Sequence, residues 1–153
     1  MDEFIMTQES FDRLWARVQG AEVSAKPVPR PEDTLRRFLD ETGETLLLER
    51  RLSGMCGAPM AVICRETNRR RLRLLTAYYL LTGQKAPLPA VCCLRESVPA
   101  LLRKLCLAAR ARSEAYDAAN ADTDELLELY QDLAESERLH ARQLEALLAC
   151  FLG

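Results

Sequence analysis

Helix breakers are scarce in this chain, whose 153 residues include six glycines and seven prolines. So low a content excludes collagen-like, low-complexity and linker-dominated architectures. Asn-Gly hairpin turns and alternating Val/Ile/Thr runs are missing, so no strand is expected. No apolar run approaches the roughly 18 residues of a membrane span, and no membrane partner is expected. The start, Met-Asp-Glu-Phe-Ile-Met-Thr-Gln, lacks the positive charge and apolar core of a signal peptide, which makes the cytoplasm the expected location. An excess of one charge is absent too: 21 Lys and Arg interleave with 23 Asp and Glu for a net charge of -2. There is no basic stripe for nucleic acid and no acidic tail. The six cysteines (Cys56, Cys64, Cys92, Cys93, Cys106, Cys150) include no C-x-x-C pair of the kind that binds metal or exchanges disulfides. They read as small buried hydrophobes, and the neighbours Cys92 and Cys93 are poorly placed to close a relaxed disulfide.

What is present is helical periodicity. Hydrophobic residues make up 48% and charged residues 29%, and a chain of this length buries roughly two-thirds of its unfolded surface around one core. Residues 1–30 read as a short amphipathic helix and a linker. Phe11, Leu14, Trp15 and Val18 fall at helical spacing within Ser10–Val18, and a Pro-bearing stretch follows from Gly20. Residues 31–153 read as an all-α four-helix bundle. The first helix opens at Pro31 with Glu32 and Asp33 at its positive end and runs to about Ser53. The second is expected over about Pro59–Leu81, the third over about Ser97–Ala119 and the fourth over about Thr123–Phe151. Short turns at 53–58 and 120–123 make antiparallel hairpins. The stretch from Thr82 to about Glu96 is longer. At about 3.3 Å per extended residue it can run back along a helix, the arrangement with one long crossover between helices two and three.

Chemistry concentrates on the fourth helix. Leu126, Tyr130, Leu133, Glu137, His140, Leu144, Leu147 and Phe151 alternate at steps of three and four, which sets Glu137 and His140 within an apolar stripe. A buried carboxylate and imidazole cost several kcal/mol unless paired or metal-bound. Glu-x-x-His on an inward face is one of the building blocks of bundle di-metal sites. The plainer reading is an exposed helical pair.

From Pro31 to Gly153 the chain resembles the rubrerythrin branch of the ferritin-like proteins. The resemblance rests on Phe38-Leu39-Asp40-Glu41, on Tyr78-Tyr79-Leu80-Leu81-Thr82-Gly83, and on Glu137-Arg138-Leu139-His140-Ala141-Arg142. It implies one Glu on each of helices one and three and one Glu-x-x-His on each of helices two and four, holding one or two irons. Glu41 fits the first position, with Glu49, nearer the centre of the stripe, as a competitor. On helix two the stripe Met60, Ile63, Thr67, Arg70, Leu74, Tyr78, Leu81 carries Thr and Arg where Glu and His belong. A shift by one residue gives Glu66 and Arg69. Either way an arginine, which has no lone pair to donate, replaces the histidine. On helix three the face Leu94, Val98, Leu102, Leu105, Ala109, Arg112, Tyr116 has Ala109 in place of the Glu.

The metal-ligand candidates are therefore Glu41, Glu66, Glu137 and His140. Arg69 or Arg70, facing Glu41 and Glu137, would substitute an ion pair for the metal. The rest of the run Arg65 to Arg73 reads as a solvated helix face, and Tyr78, Tyr79, Tyr116 and Tyr130 read as core. The expected function is a metal-poor or metal-free ferritin-like bundle with a structural or binding role, self-associating or meeting a partner through its N-terminal segment. The alternative is an iron-binding oxidoreductase that reduces peroxide or oxidises ferrous iron and draws on a separate electron donor. A mononuclear site completed by water is a third possibility.

Overall fold

The computed structural model describes residues 28–90 and 95–153. The N-terminal amphipathic segment expected at 10–18 and the Cys92–Cys93 pair lie outside the described residues. Within them the chain forms four helices and no strand: α1 (Pro31–Cys56), α2 (Ala58–Thr82), α3 (Val98–Ala118) and α4 (Asp124–Leu152). No helix is long and apolar enough to cross a membrane among the described residues.

Local chemistry explains each boundary. Pro31 occupies the first turn of α1 with Glu32 and Asp33 beside it, where the missing N–H costs nothing and negative charge meets the positive helix end. α1 continues three residues beyond the break expected at Ser53. Gly54 is accommodated within it, and the chain turns at Gly57 alone, whose φ of 76° favours glycine. α2 ends at Gly83 in the left-handed conformation, its N–H donating to the Tyr79 carbonyl at 2.7 Å. Ser97 caps α3 by accepting from the Ala100 N–H at 3.3 Å, and Thr123 caps α4 by accepting from the Leu126 N–H at 3.2 Å.

α1 lies along α2, and α3 along α4. The core falls into two apolar clusters. One gathers Leu35, Phe38 and Leu39 from the start of α1, Leu74 and Tyr78 from the end of α2, Tyr116 from the end of α3, and Leu126, Leu129, Tyr130, Leu133 and Ala134 from the start of α4. In it Phe38 packs on Tyr116 with ring centroids 4.2 Å apart and on Tyr130 at 5.5 Å. The other joins Leu52 of α1, Met60 and Ile63 of α2, Leu101, Leu102, Leu105, Cys106 and Ala109 of α3, and Ala141 and Leu144 of α4.

The expected stripes of α2, α3 and α4 are buried through most of their length and fail at their ends: Leu81 and Phe151 are exposed. Tyr79 is 51% exposed and is not core, unlike Tyr78, Tyr116 and Tyr130. Cys106 is buried, Cys56 and Cys64 are half-buried, and Cys150 is exposed.

Candidate functional site

A layer of polar and charged side chains lies between the two apolar clusters. α1 contributes Thr45 and Glu49, α2 Thr67 and Arg70, α3 Arg112, and α4 Glu137 and His140, every one of them buried. Each recurs at three- or four-residue steps on the inner face of its helix, between apolar residues a turn away, such as Leu74 on α2 and Leu133 and Leu144 on α4.

Glu137 is the hub. Its Oε2 accepts from Arg112 Nε at 2.7 Å and its Oε1 more distantly from Arg112 Nη2 at 3.5 Å, a fork-like approach. Oε1 also accepts from His140 Nδ1 at 2.8 Å, and Arg70 Nε lies 3.7 Å from Oε2. Burial alone would push the Glu137 carboxyl up. The hydrogen bond from His140 and the charges of Arg112 and Arg70 outweigh it and hold the pKa at about 2.

His140 is clamped from both sides, with Nε2 2.6 Å from Glu49 Oε2 and Nδ1 2.8 Å from Glu137 Oε1. Neutral imidazole has one donor nitrogen and one acceptor, and an acceptor nitrogen aimed at an ionised carboxylate is unfavourable. Two carboxylates on one ring therefore select imidazolium. Burial works against that charge, as does Arg70, but the bonds to Glu137 and Glu49 prevail and the pKa is raised above its usual value.

Arg112 also donates from Nη1 to Thr45 Oγ1 at 2.9 Å. Arg70 donates from Nη2 to Thr67 Oγ1 at 2.9 Å and from Nη1 to Ser136 Oγ at 3.1 Å. Two guanidiniums, two carboxyl groups and one imidazole thus share the layer. Glu49 Oε1, Arg70 Nε, Thr42 Oγ1 and Tyr116 OH are buried without a hydrogen-bond partner among the described residues. Burial and the charge of Glu137 push the Tyr116 hydroxyl up; the nearby Thr42 hydroxyl tempers this, although the two do not meet at hydrogen-bond geometry.

The ligand candidates read from the sequence separate in the fold. Glu137 and His140 are in the layer. Glu41 is on the outside of α1, 43% exposed at its side chain and 3.9 Å from Arg37 Nε. Glu66 is 41% exposed and accepts both its hydrogen bonds from Arg69 Nη1 at 2.9 Å. Neither bonds to Glu137 or His140. Glu49, two turns beyond Glu41, is the α1 carboxylate that reaches inward, and on α2 the register with Thr67 and Arg70 faces the core. Arg70 is near Glu137 as expected of a substituting cation, but the direct partner is Arg112, which sequence reasoning placed on the α3 stripe without giving it a role. Its signal was a lone charge between Ala109 and Tyr116 on an otherwise apolar face.

The donor set does not fit a two-metal centre. Three candidate donors meet, both ring nitrogens of His140 point at carboxylate oxygens, Glu137 is taken up by a guanidinium, and a second guanidinium stands beside it. Among the described residues no group of three or more His, Cys, Asp or Glu is disposed to hold a metal ion. A groove of about 560 Å³ between α1 and α3 reaches the layer at Thr45 and Arg112, whereas Glu49, Glu137 and His140 do not line it. Comparison with family models, with curated proteins and with solved structures yields no match.

Proposed function

We propose that this chain is a ferritin-like bundle of rubrerythrin type in which a proton and two guanidiniums do the work of a di-metal centre, and that it acts as a structural or binding module. The observation that carries the reading is the Glu137 carboxylate, which receives Arg112 at 2.7 Å and His140 at 2.8 Å where a metal-chelating glutamate is expected.

The helix order supports the ferritin-like part. The start of α1, the end of α2, the end of α3 and the start of α4 share one cluster, the pattern of an up-down-down-up bundle. Helices α2 and α3, consecutive in the chain and parallel in this order, need a long connection, and the fourteen residues 84–97 are one. Leu88 and Pro89 of that stretch lie against Gly43 near the middle of α1.

In this reading the layer orients the four helices. Each buried ion costs several kcal/mol in lost hydration, which is offset only when the partners from all four helices sit in register. A misregistered bundle strands a charge, so the layer selects one packing.

Elemental analysis of anaerobically purified protein, incubated with ferrous iron and then desalted, tests the reading. No stoichiometric metal is the expected result. Two tightly held equivalents, lost in both Glu137→Ala and His140→Ala, would establish the iron-dependent oxidoreductase instead, and one equivalent the mononuclear site.

A further inference from the structure

A second apolar feature lies at the bundle end where α1 begins. The end of α2 and the start of α4 part around a groove of about 270 Å³, walled by Leu35, Leu80, Leu81, Leu126 and Leu129. Leu80 is 80% exposed and Leu81 is 49% exposed, two adjacent leucines on the last turn of α2. The volume falls below the roughly 300–1,000 Å³ of small-molecule sites and suits one or two large side chains. Asp122 and Glu125 stand at its rim.

We propose that this groove is the seat of the chain's own N-terminal amphipathic segment, with Trp15 inserted between α2 and α4. Three observations converge on that occupant. Leu35, in the groove wall, is one helical turn from Pro31, so the chain enters the bundle beside the groove. The ten residues between Val18 and Pro29 extend to about 33 Å, enough to bring residues 11–18 back over it without strain. The chemistry is complementary: Phe11, Leu14, Trp15 and Val18 supply an apolar stripe, and Arg13 and Arg17, one turn apart beside it, meet the acidic rim. The wider groove between α1 and α3 is a poorer seat, because its two leucines, Leu48 and Leu105, stand among alanines and the charged Arg37, Glu41, Glu44 and Lys104. The inference is independent of whether the central layer holds metal.

Trp15 is the chain's single tryptophan, so its fluorescence reports the segment directly. In the full chain its emission is expected to be blue-shifted and its quenching by acrylamide several-fold weaker than in Leu80→Glu, with both properties independent of protein concentration across the monomeric range. Leu80 is outside the packed core, so the variant retains the helical signal and melting behaviour of the bundle itself. Protection of Trp15 that disappears on dilution together with a dimer, as followed by light scattering, would assign the groove to a second copy and overturn docking within one chain. A solvent-exposed Trp15 in the unsubstituted chain, or equal protection in Leu80→Glu, would overturn the proposal outright.

Discussion

Glu137 and Arg112 answer each other at 2.7 Å with side chains 0% and 5% exposed, and removing one leaves the other charged and buried. Glu137→Ala is therefore expected to lower unfolding stability by about 3–5 kcal/mol, and Arg112→Ala by a similar amount. The double variant should lose less than the sum of the two, because the second truncation relieves the charge stranded by the first. Denaturant titration of the three variants checks this; additive losses would mean that the pair does not act as a unit. Acidity adds a second test. The Glu137 carboxyl is held at about 2 in the fold against 4.5 ordinarily, so its contribution is complete above about pH 4.5 and lost as pH falls through 2. The His140 pKa is raised above 6.5, so its contribution is complete below that value and lost as pH climbs through the folded pKa. Thermal melts should show the network at full strength between about pH 4.5 and 6.5. His140→Gln should melt lower in that window and narrow the difference from the unsubstituted protein as pH rises.

The four helices were legible in the chain because periodicity and breakers agree: Pro31, Gly83 and the Ser97 and Thr123 caps all stand within a residue or two of the observed ends. The α1 boundary was misjudged because Ser53-Gly54 looks like a stop, yet a glycine inside a helix costs only about 1 kcal/mol and the long packed stripe carries α1 through it. The buried face of α4 is legible from Leu126 to Leu144, including Glu137 and His140, but Phe151 at its end is exposed, and Leu129, Ala134 and Ala141, which flank the stripe, are buried as well. Glu41 and Glu66 stand apart from the layer for a geometric reason. A shift of one residue rotates a side chain by about 100° around the helix, and a family pattern held on Glu41 where the local stripe favoured Glu49. Arg112 was missed because long-range pairing is a property of two helices, and neither sequence alone states which cation meets which carboxylate.

The connection between α2 and α3 also has a testable detail. A methyl at Gly43 would come 2.8 Å from Pro89 Cδ, an atom of a rigid ring. Gly43→Ala should thus destabilise by about 1 kcal/mol or more, the overpacking cost exceeding the helix-propensity gain of the same substitution. An increase in melting temperature would mean that the connection does not lean on α1 at that point.

At the scale of the whole molecule, the two apolar clusters supply the cohesion and the charged layer between them supplies selectivity. The clusters would tolerate many slides of one helix along another, since leucine meets leucine almost anywhere. The layer resists such a slide, because moving one helix a turn along another would part Glu137 from Arg112 and Arg70, or His140 from Glu49. A metal centre could impose the same restriction, which is why the protonation of His140 separates the two accounts more sharply than stability does. His140 is the chain's single histidine, so its ring signals need no assignment. Nitrogen-15 NMR of the imidazole at pH 7, with and without added zinc as a diamagnetic probe, should find both ring nitrogens protonated and unmoved by the metal. A ring with one unprotonated nitrogen whose resonance shifts on stoichiometric zinc would contradict the account.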